Sequence, residues 1–223
     1  MVKEEQYLAL RKELEQAGVQ LVAVSKTQPP EAVLKLYDLG QRVFGENRVQ
    51  ELLEKQPHLP ADIQWHLIGH LQTNKVKQVV PHVSMIESLD SVKLCRTVNT
   101  EASKLGIIVD ALIQIKIATE ESKYGFDPET VIEELREADI RNMRAMRVRG
   151  VMGIASLIDD ENQVRREFQK LHSLYDELKK TLFADRDDFD QISMGMSGDY
   201  PLAIREGSTM VRVGSLIFGE RQY

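Results

Sequence analysis

Cysteine is nearly absent from this chain, whose 223 residues include only Cys95. A single cysteine excludes an internal disulfide and is typical of a protein in a reducing cytoplasm. Long apolar runs are missing too, because no stretch reaches the ~18 apolar residues of a membrane-spanning helix. Residues 1–16 alternate charged with apolar side chains, unlike a secretory signal peptide. We therefore expect a cytoplasmic location and no membrane partner.

An excess of positive charge is also missing. The net charge is −6, which disfavours nucleic acid or an anionic membrane as the main partner of the surface. A local exception is a group of five arginines, Arg136, Arg141, Arg144, Arg147 and Arg149. Charge runs of this kind usually face water. The group therefore predicts a solvated connection between a helix and a strand, and we expect no nucleic-acid partner.

The motifs of several common enzyme classes are absent. The first apolar run leads into Ser25-Lys26-Thr27 instead of the glycine pattern G-x-G-x-x-G, and no G-x-S-x-G is present. His66 and His70 are four residues apart in a segment that we interpret as a strand. That spacing separates their rings by about 13 Å at 3.3 Å per residue, too far to share one metal ion. The sequence therefore predicts no metal site.

The chain does contain eight short apolar runs, separated by segments with helical spacing. The runs cover residues 21–25, 42–45, 65–69, 84–88, 111–117, 149–156, 190–196 and 210–218. Strands that alternate with helices and are buried on both faces predict a parallel sheet. The chain length suits one closed (β/α)8 barrel, which takes roughly 200 to 250 residues. An open doubly wound sheet is the alternative, but its glycine fingerprint is missing.

We thus predict an α/β fold, a single (β/α)8 TIM barrel that forms one domain over residues 1–223. An extra N-terminal helix precedes it, because Tyr7, Leu10 and Leu14 keep helical spacing and Gly18 provides a stop. No linker or change of composition marks a second domain.

The helices between the strands have signals of unequal strength. Asp127 followed by Pro128 predicts an N-cap with proline at the first helical position. An apolar stripe over residues 164–182 predicts the longest helix, and a short one begins at residues 199–201. Segment 46–55 is a weaker candidate because it has few apolar residues.

Two segments rich in glycine and serine follow the last two predicted strands. Gly195, Ser197 and Gly198 follow the seventh strand, and Gly214 and Ser215 follow the eighth. In a barrel, phosphate commonly binds at the loops after these two strands. Glycine lets the backbone approach a ligand, and a helix that begins there directs free N–H groups at an anion. Both segments could be ordinary turns, but their two positions favour a phosphate-binding site.

Lys26 ends the first predicted strand, and we expect it across the barrel mouth from this phosphate site. A lone strand-end lysine is usually a solvated surface group. At a barrel mouth, however, a lysine is partly desolvated, which makes its neutral amine available to attack a carbonyl. An amine and a phosphate site together predict a phosphorylated aldehyde held as a Schiff base, and pyridoxal phosphate is the first such ligand to consider. A Schiff-base aldolase acting on a sugar phosphate is an alternative.

Arg212 and Asn47 are two further candidates for the same site. Arg212 lies two residues before Gly214, so both share the interior face of their strand. Its partner would be a buried carboxylate or a ring nitrogen of the ligand. In the second case the arginine would keep that nitrogen unprotonated and make the ring a poor electron sink. Asn47, at the end of the second strand, could donate to a phenolic oxygen or could be a helix N-cap.

These candidates lie within five motifs that have a recognisable counterpart. The motifs are Val24-Ser25-Lys26-Thr27, Phe44-Gly45-Glu46-Asn47, Trp65-His66-Leu67-Ile68-Gly69-His70-Leu71-Gln72-Thr73-Asn74-Lys75, Ser193-Met194-Gly195-Met196-Ser197 and Gly207-Ser208-Thr209-Met210-Val211-Arg212-Val213-Gly214. They closely resemble the pyridoxal phosphate homeostasis protein family, in the same order and over essentially the whole chain. That family is a single-domain relative of the barrel half of fold-type III enzymes such as alanine racemase.

The resemblance implies roles for individual residues. Lys26 would carry the internal aldimine of pyridoxal 5'-phosphate, and Arg212 would face the pyridine nitrogen. Ser197, Gly214 and Ser215 would hold the phosphate.

The resemblance also implies cofactor handling without an established catalytic reaction. The protein would store pyridoxal phosphate and deliver it to recipient apo-enzymes; a second lysine, Lys123, would lie in the loop after the fifth strand. A weak amino-acid racemase is the alternative. Alanine racemase uses a second domain and an opposing tyrosine base from a partner subunit, and nothing remains after the eighth strand to build them. Because racemisation needs a base on each face, we expect no racemase and, without the dimerising domain, a monomer.

Overall fold

The computed structural model describes residues 2–119 and 124–219. Eight parallel strands follow one another around a closed barrel, and the eighth pairs with the first. The strands are β1 Gln20–Val24, β2 Val43–Glu46, β3 Gln64–Leu67, β4 Met85–Leu89, β5 Val109–Ile115, β6 Met146–Gly153, β7 Gln191–Ser193 and β8 Met210–Val213. The predicted closed barrel is confirmed, and the open sheet is wrong.

Helices surround the barrel, and one precedes it. They are α1 Glu4–Ala17, α2 Pro30–Asp38, α3 Val49–Lys55, α4 Val76–Val79, α5 Val92–Leu105, α6 Val131–Glu137, α7 Glu161–Thr181, α8 Tyr200–Arg205 and α9 Ser215–Phe218. The predicted extra helix is α1, which buries Tyr7, Leu10 and Leu14 and ends at Gly18 in a left-handed conformation. No helix in the described part of the chain is long and apolar enough to cross a membrane.

Two of the wrongly predicted boundaries have a clear structural reason. The eighth apolar run contains two elements, since β8 stops at Val213 and α9 begins at Ser215; apolar residues continue through the turn because the helix is buried as well. The helix predicted to start after Asp127 begins at Val131. The Asp127 side chain instead accepts the N–H of Glu129 at 2.9 Å, in a turn that precedes the helix.

Side chains of alternate strand positions fill the barrel, and the others pack against the helices. The interior cluster consists of Val22, Val24, Val43, Ile68, Met85, Leu112, Met152 and Met210. Because strand side chains alternate between faces, Lys26 follows Val24 and Arg212 follows Met210 on the interior face. The pattern therefore places both residues at the carboxyl end of the barrel, above the apolar interior.

The arginine group runs from the end of α6 into β6. Arg147 and Arg149 both bind Asp110, at 2.6 and 3.1 Å. Arg141 pairs with Asp185 at 2.5 Å, and both side chains are at least half exposed. The expected solvation is confirmed for four of the five arginines, whereas Arg149 is only 19% exposed. Acidic neighbours balance the charge of the group.

Candidate functional site

A cavity of about 720 Å³ opens at the carboxyl ends of the strands. It is lined by all six residues that the sequence nominates: Lys26, Asn47, Ser197, Arg212, Gly214 and Ser215. They come from the ends of four different strands, β1, β2, β7 and β8. Their joint position follows from barrel closure, while their roles toward a ligand stay predictions.

Lys26 is half-buried in the turn that follows β1. It also borders a small side cavity together with Gly214 and Ser215. Lys26 therefore lies beside the loop after β8. The prediction that the barrel mouth separates Lys26 from that loop is wrong. The reason is closure of the barrel, because β8 pairs directly with β1.

The two Gly/Ser segments are joined by a hydrogen bond. Ser197 Oγ accepts the N–H of Gly214 at 3.2 Å. A Cβ on Gly214 would lie 3.1 Å from the Val24 carbonyl oxygen, so a larger residue would crowd β1. A Cβ on Gly198 would meet no atom within 4 Å, which leaves room for a ligand beside this turn. Ser215 is exposed in the first turn of α9.

Backbone conformation and packing explain why position 195 is a glycine, without reference to a ligand. Its φ is +94°, and a Cβ there would lie 2.5 Å from Ala203 Cβ on α8. Tight packing of α8 on the strand end requires glycine at this position. Packing therefore explains this glycine without a ligand, and Gly198 lines the cavity whereas Gly195 does not.

Arg212 is buried at the floor of the cavity and heads a chain of polar groups. Its Nη1 donates to Ser193 Oγ at 2.5 Å, and its Nη2 donates to the carbonyl oxygen of Gly153 at 2.8 Å. Ser193 Oγ in turn donates to Glu87 Oε2 at 2.6 Å, and His66 Nδ1 lies 2.7 Å from Glu87 Oε1. Arg212 thus has a buried carboxylate nearby and still lines the cavity.

The charged groups in this series of hydrogen bonds stabilise one another. Burial disfavours the ionised Glu87 carboxylate, but His66, Arg212 and Ser193 outweigh that effect and lower its pKa. Burial lowers the pKa of the Arg212 guanidinium, against the opposing charges of Glu87 and Asp199. Arginine nevertheless keeps its proton in proteins. The floor of the cavity therefore presents a permanently charged donor.

Asn47 lines the cavity, and its alternative role as a helix N-cap is wrong. The residue before α3 is Arg48, so Asn47 lies between the strand and the helix. The loop after β3 packs closely on it, since a Cβ on Gly69 would lie 2.2 Å from the Asn47 carbonyl oxygen. Glycine at position 69 therefore keeps these two loops in contact at the rim.

Sequence reasoning missed an aromatic pair at the rim. The His70 ring stacks on Tyr124 with centroids 3.8 Å apart, and its Nδ1 lies 2.7 Å from Asp90 Oδ2. β3 ends at Leu67, so the assignment of His70 to a strand is wrong. Gln114 Nε2 holds the Tyr124 carbonyl at 2.9 Å. Gln114 could have been predicted from the sequence, because it lies two residues after the interior residue Leu112 and therefore shares its face of β5.

The sequence predicts no metal site and a second lysine, Lys123, after the fifth strand. Within residues 2–119 and 124–219, no group of three His, Cys, Asp or Glu side chains could hold a metal ion. Lys123 lies outside the described residues.

The chain is similar to known proteins over nearly its whole length. A family model described as alanine racemase, N-terminal domain, matches residues 4–222. The pyridoxal phosphate homeostasis protein of Aquifex aeolicus (strain VF5) is 41% identical over 220 residues, which is 96% of this chain and 94% of the relative.

Solved structures of similar sequence share the fold. PipY of Synechococcus elongatus PCC7942, solved without PLP, is 38% identical with a TM-score of 0.90 and covers 96% of this chain and 99% of its own. The same protein with PLP bound is 37% identical with a TM-score of 0.86, over the same shares of both chains.

Proposed function

We propose that this chain, which belongs to the pyridoxal phosphate homeostasis protein family, binds pyridoxal phosphate reversibly and acts in its homeostasis by storing and delivering it. The observation that carries the proposal is one cavity that brings together the Lys26 amine, the Arg212 guanidinium and the Ser197 and Gly214 loops. The similarity to PipY, which has been solved with PLP bound, supports the choice of ligand.

The donor set of the cavity fits the three polar regions of this ligand. Lys26 would meet the aldehyde, and the Ser197, Gly214 and Ser215 segments would meet the phosphate. Arg212, held at the cavity floor by Ser193 and Gly153, would meet the pyridine nitrogen. Asn47 at the rim is within the same cavity and would donate to the phenolic oxygen.

Lys26 would attach the ligand covalently and reversibly. The neutral Nζ attacks the aldehyde carbon, a C=N bond forms, and the carbonyl oxygen leaves as water. Water reverses the step and returns the free amine and the free aldehyde, so no oxidant or reductant is needed. A bond of this kind stores a reactive aldehyde and still releases it to a recipient.

Storage and delivery, without a catalytic reaction, are the role that we infer. A charged Arg212 would leave the pyridine nitrogen unprotonated, and an unprotonated ring withdraws electrons weakly. Delivery implies recipient apo-enzymes in the same compartment, which we propose to be the cytoplasm. We further propose a monomer and a single domain over residues 1–223.

Borohydride trapping tests the proposal. Protein loaded with pyridoxal phosphate should turn yellow and bleach on reduction, and mass spectrometry should find the pyridoxyl group on the peptide that contains Lys26. Lys26→Ala should remove this adduct and leave the circular dichroism spectrum unchanged. Loaded protein should also activate an added apo-enzyme. Trapping mainly on Lys123, or no adduct on the wild type, would overturn the assignment.

A further inference from the structure

The turn that carries Lys26 is held by an ionic cluster on the outer face of the barrel. Lys55 on α3 donates to the Ser25 carbonyl oxygen at 2.7 Å, to Glu46 Oε1 at 2.8 Å and to Glu51 Oε1 at 2.6 Å. Ser25 Oγ also donates to Glu46 Oε1 at 2.7 Å. The residue before Lys26 is therefore fixed through both its carbonyl and its hydroxyl. We call Ser25, Glu46, Glu51 and Lys55 the Lys55 cluster.

The residue after Lys26 is held by the same cluster. The N–H of Thr27 donates to Glu51 Oε1, the oxygen that also accepts from Lys55. Thr27 has a φ of +66°, a conformation that β-branched residues rarely adopt. Such a conformation persists only where surrounding contacts impose it. Both neighbours of Lys26 are thus tied to α3 and β2.

The Lys55 ammonium group has no donor left for a further hydrogen bond in this arrangement. An ammonium group has three protons and no acceptor, and three oxygens of the cluster take them all. Its side chain is 7% exposed, and that of Glu46 is fully buried. The charge of Lys55 therefore depends on the carboxylates of Glu46 and Glu51, because a buried charge without a partner is costly.

Glu46 shows the same dependence. Burial raises the pKa of its carboxyl, and the charge and hydrogen bond of Lys55 oppose this. Its Oε1 accepts from Ser25 and from Lys55, whereas Oε2 is buried without a partner in the described residues. Without Lys55 the carboxyl would favour a proton, and its hold on Ser25 would weaken.

We propose that Lys55 is a positioning residue that fixes the Lys26 turn, so that the Lys26 amine meets an aldehyde in the cavity. The inference rests on the proposed function, since it concerns the covalent step at Lys26. It also explains why two lysines near one another would differ in chemistry. All three donor positions of the Lys55 ammonium group are bonded within the cluster, so Lys26 is the nucleophile of the two.

The test separates the covalent step from ordinary binding. Pyridoxal phosphate has the aldehyde, whereas pyridoxine phosphate has an alcohol there and cannot form the C=N bond. We expect Lys55→Met to weaken pyridoxal phosphate binding about tenfold or more, because small misplacements of a reacting group are costly. Pyridoxine phosphate binding should stay within about twofold of the wild type. A merely structural role would weaken both ligands alike.

Lys179→Met is the matched control. Lys179 Nζ also donates to backbone carbonyl oxygens, those of Arg186 and Phe189, but none of these residues lines the cavity. This control should bind both ligands like the wild type. Borohydride trapping on wild-type Lys26 is measured in parallel, so that a missing wild-type adduct counts against the proposed function and not against Lys55 alone.

Glu51→Gln decides the question if Lys55→Met does not fold. Glu51 is partly exposed and should tolerate the change, yet the variant weakens the contacts to Lys55 and to Thr27. We expect the same selective loss for the aldehyde, smaller in size. A wild type that traps at Lys26, together with variants that bind both ligands normally or lose both equally, would overturn the positioning role.

Discussion

Arg212 and Glu87 lie 3.8 Å apart inside the barrel, and the Ser193 hydroxyl is hydrogen-bonded to both. Three strands contribute these groups, and a fourth contributes His66 on the other carboxylate oxygen. A cation at a buried cavity floor needs such a partner, because an isolated buried charge is costly. The pair therefore stabilises the buried charge of Arg212 and fixes its position without a ligand.

Glu87→Gln should destabilise the protein in a pH-dependent way. The folded-state pKa of Glu87 is lowered, so its ionisation contributes stability above its unfolded pKa, and that contribution is lost as the pH falls through the folded value. At pH 7 we expect a loss of roughly 3 kcal/mol, because a buried pair is broken. Urea unfolding of both proteins between pH 7 and 3 should show the difference shrink below about pH 4.5. A constant difference would contradict the ionised pair.

Gly195→Ala and Gly198→Ala form a matched pair in one segment. At position 195 the φ of +94° and the close Ala203 Cβ oppose a side chain, whereas position 198 has open space. We expect Gly195→Ala to cost about 2 kcal/mol or more in the free energy of unfolding. Gly198→Ala should stay within about 0.5 kcal/mol. Equal costs would show that the packing of α8 does not explain Gly195.

Ser197→Asp should weaken pyridoxal phosphate binding. The new carboxylate would stand against the phosphate dianion and would disturb the bond to the Gly214 N–H. The loss should exceed the ~1 kcal/mol of one neutral hydrogen bond. Ser173→Asp, on the exposed face of α7, is the control for added charge. Pyridoxal without phosphate should bind the wild type poorly; equal affinity of the two aldehydes would rule out a phosphate site here.

Cys95 should be unreactive in the folded protein. Burial raises the pKa of its thiol from 9.0 to about 12. Because the folded pKa is the higher one, the neutral thiol contributes stability that is present below pH 9 and is lost as the pH rises toward 12. A thiol reagent at pH 8 should label Cys95 only in denaturant. Fast labelling of the native protein would contradict its burial.

A racemisation assay with L-alanine distinguishes a carrier from a racemase. With Arg212 charged, the ring would absorb carbanion charge poorly, so added L-alanine should yield no more than a trace of D-alanine. Chiral chromatography of a long incubation measures this, with alanine racemase as the positive control. Turnover at ordinary enzyme rates, on the order of 1–10³ s⁻¹, would refute the carrier role.

Segment 46–55 shows where the pattern of apolar residues has limits. Its helix is the weaker candidate because few apolar residues support it, yet α3 forms over Val49–Lys55. The reason is that Lys55 is buried against Glu46 and Glu51 and not exposed to water. An ionic cluster takes the place of part of the apolar face, and apolar periodicity cannot detect it.

The amino-acid sequence was enough to predict the barrel, its extra helix and the six residues that line the cavity. Alternation in strands and helical spacing are local properties, and a parallel barrel places every strand end at one rim. The tertiary structure was needed to place Lys26 beside Gly214, because that contact depends on the pairing of β1 with β8. It also decided the partners of Arg212 and Lys55. These contacts join residues far apart in the chain, and their distances are set by barrel closure and helix packing.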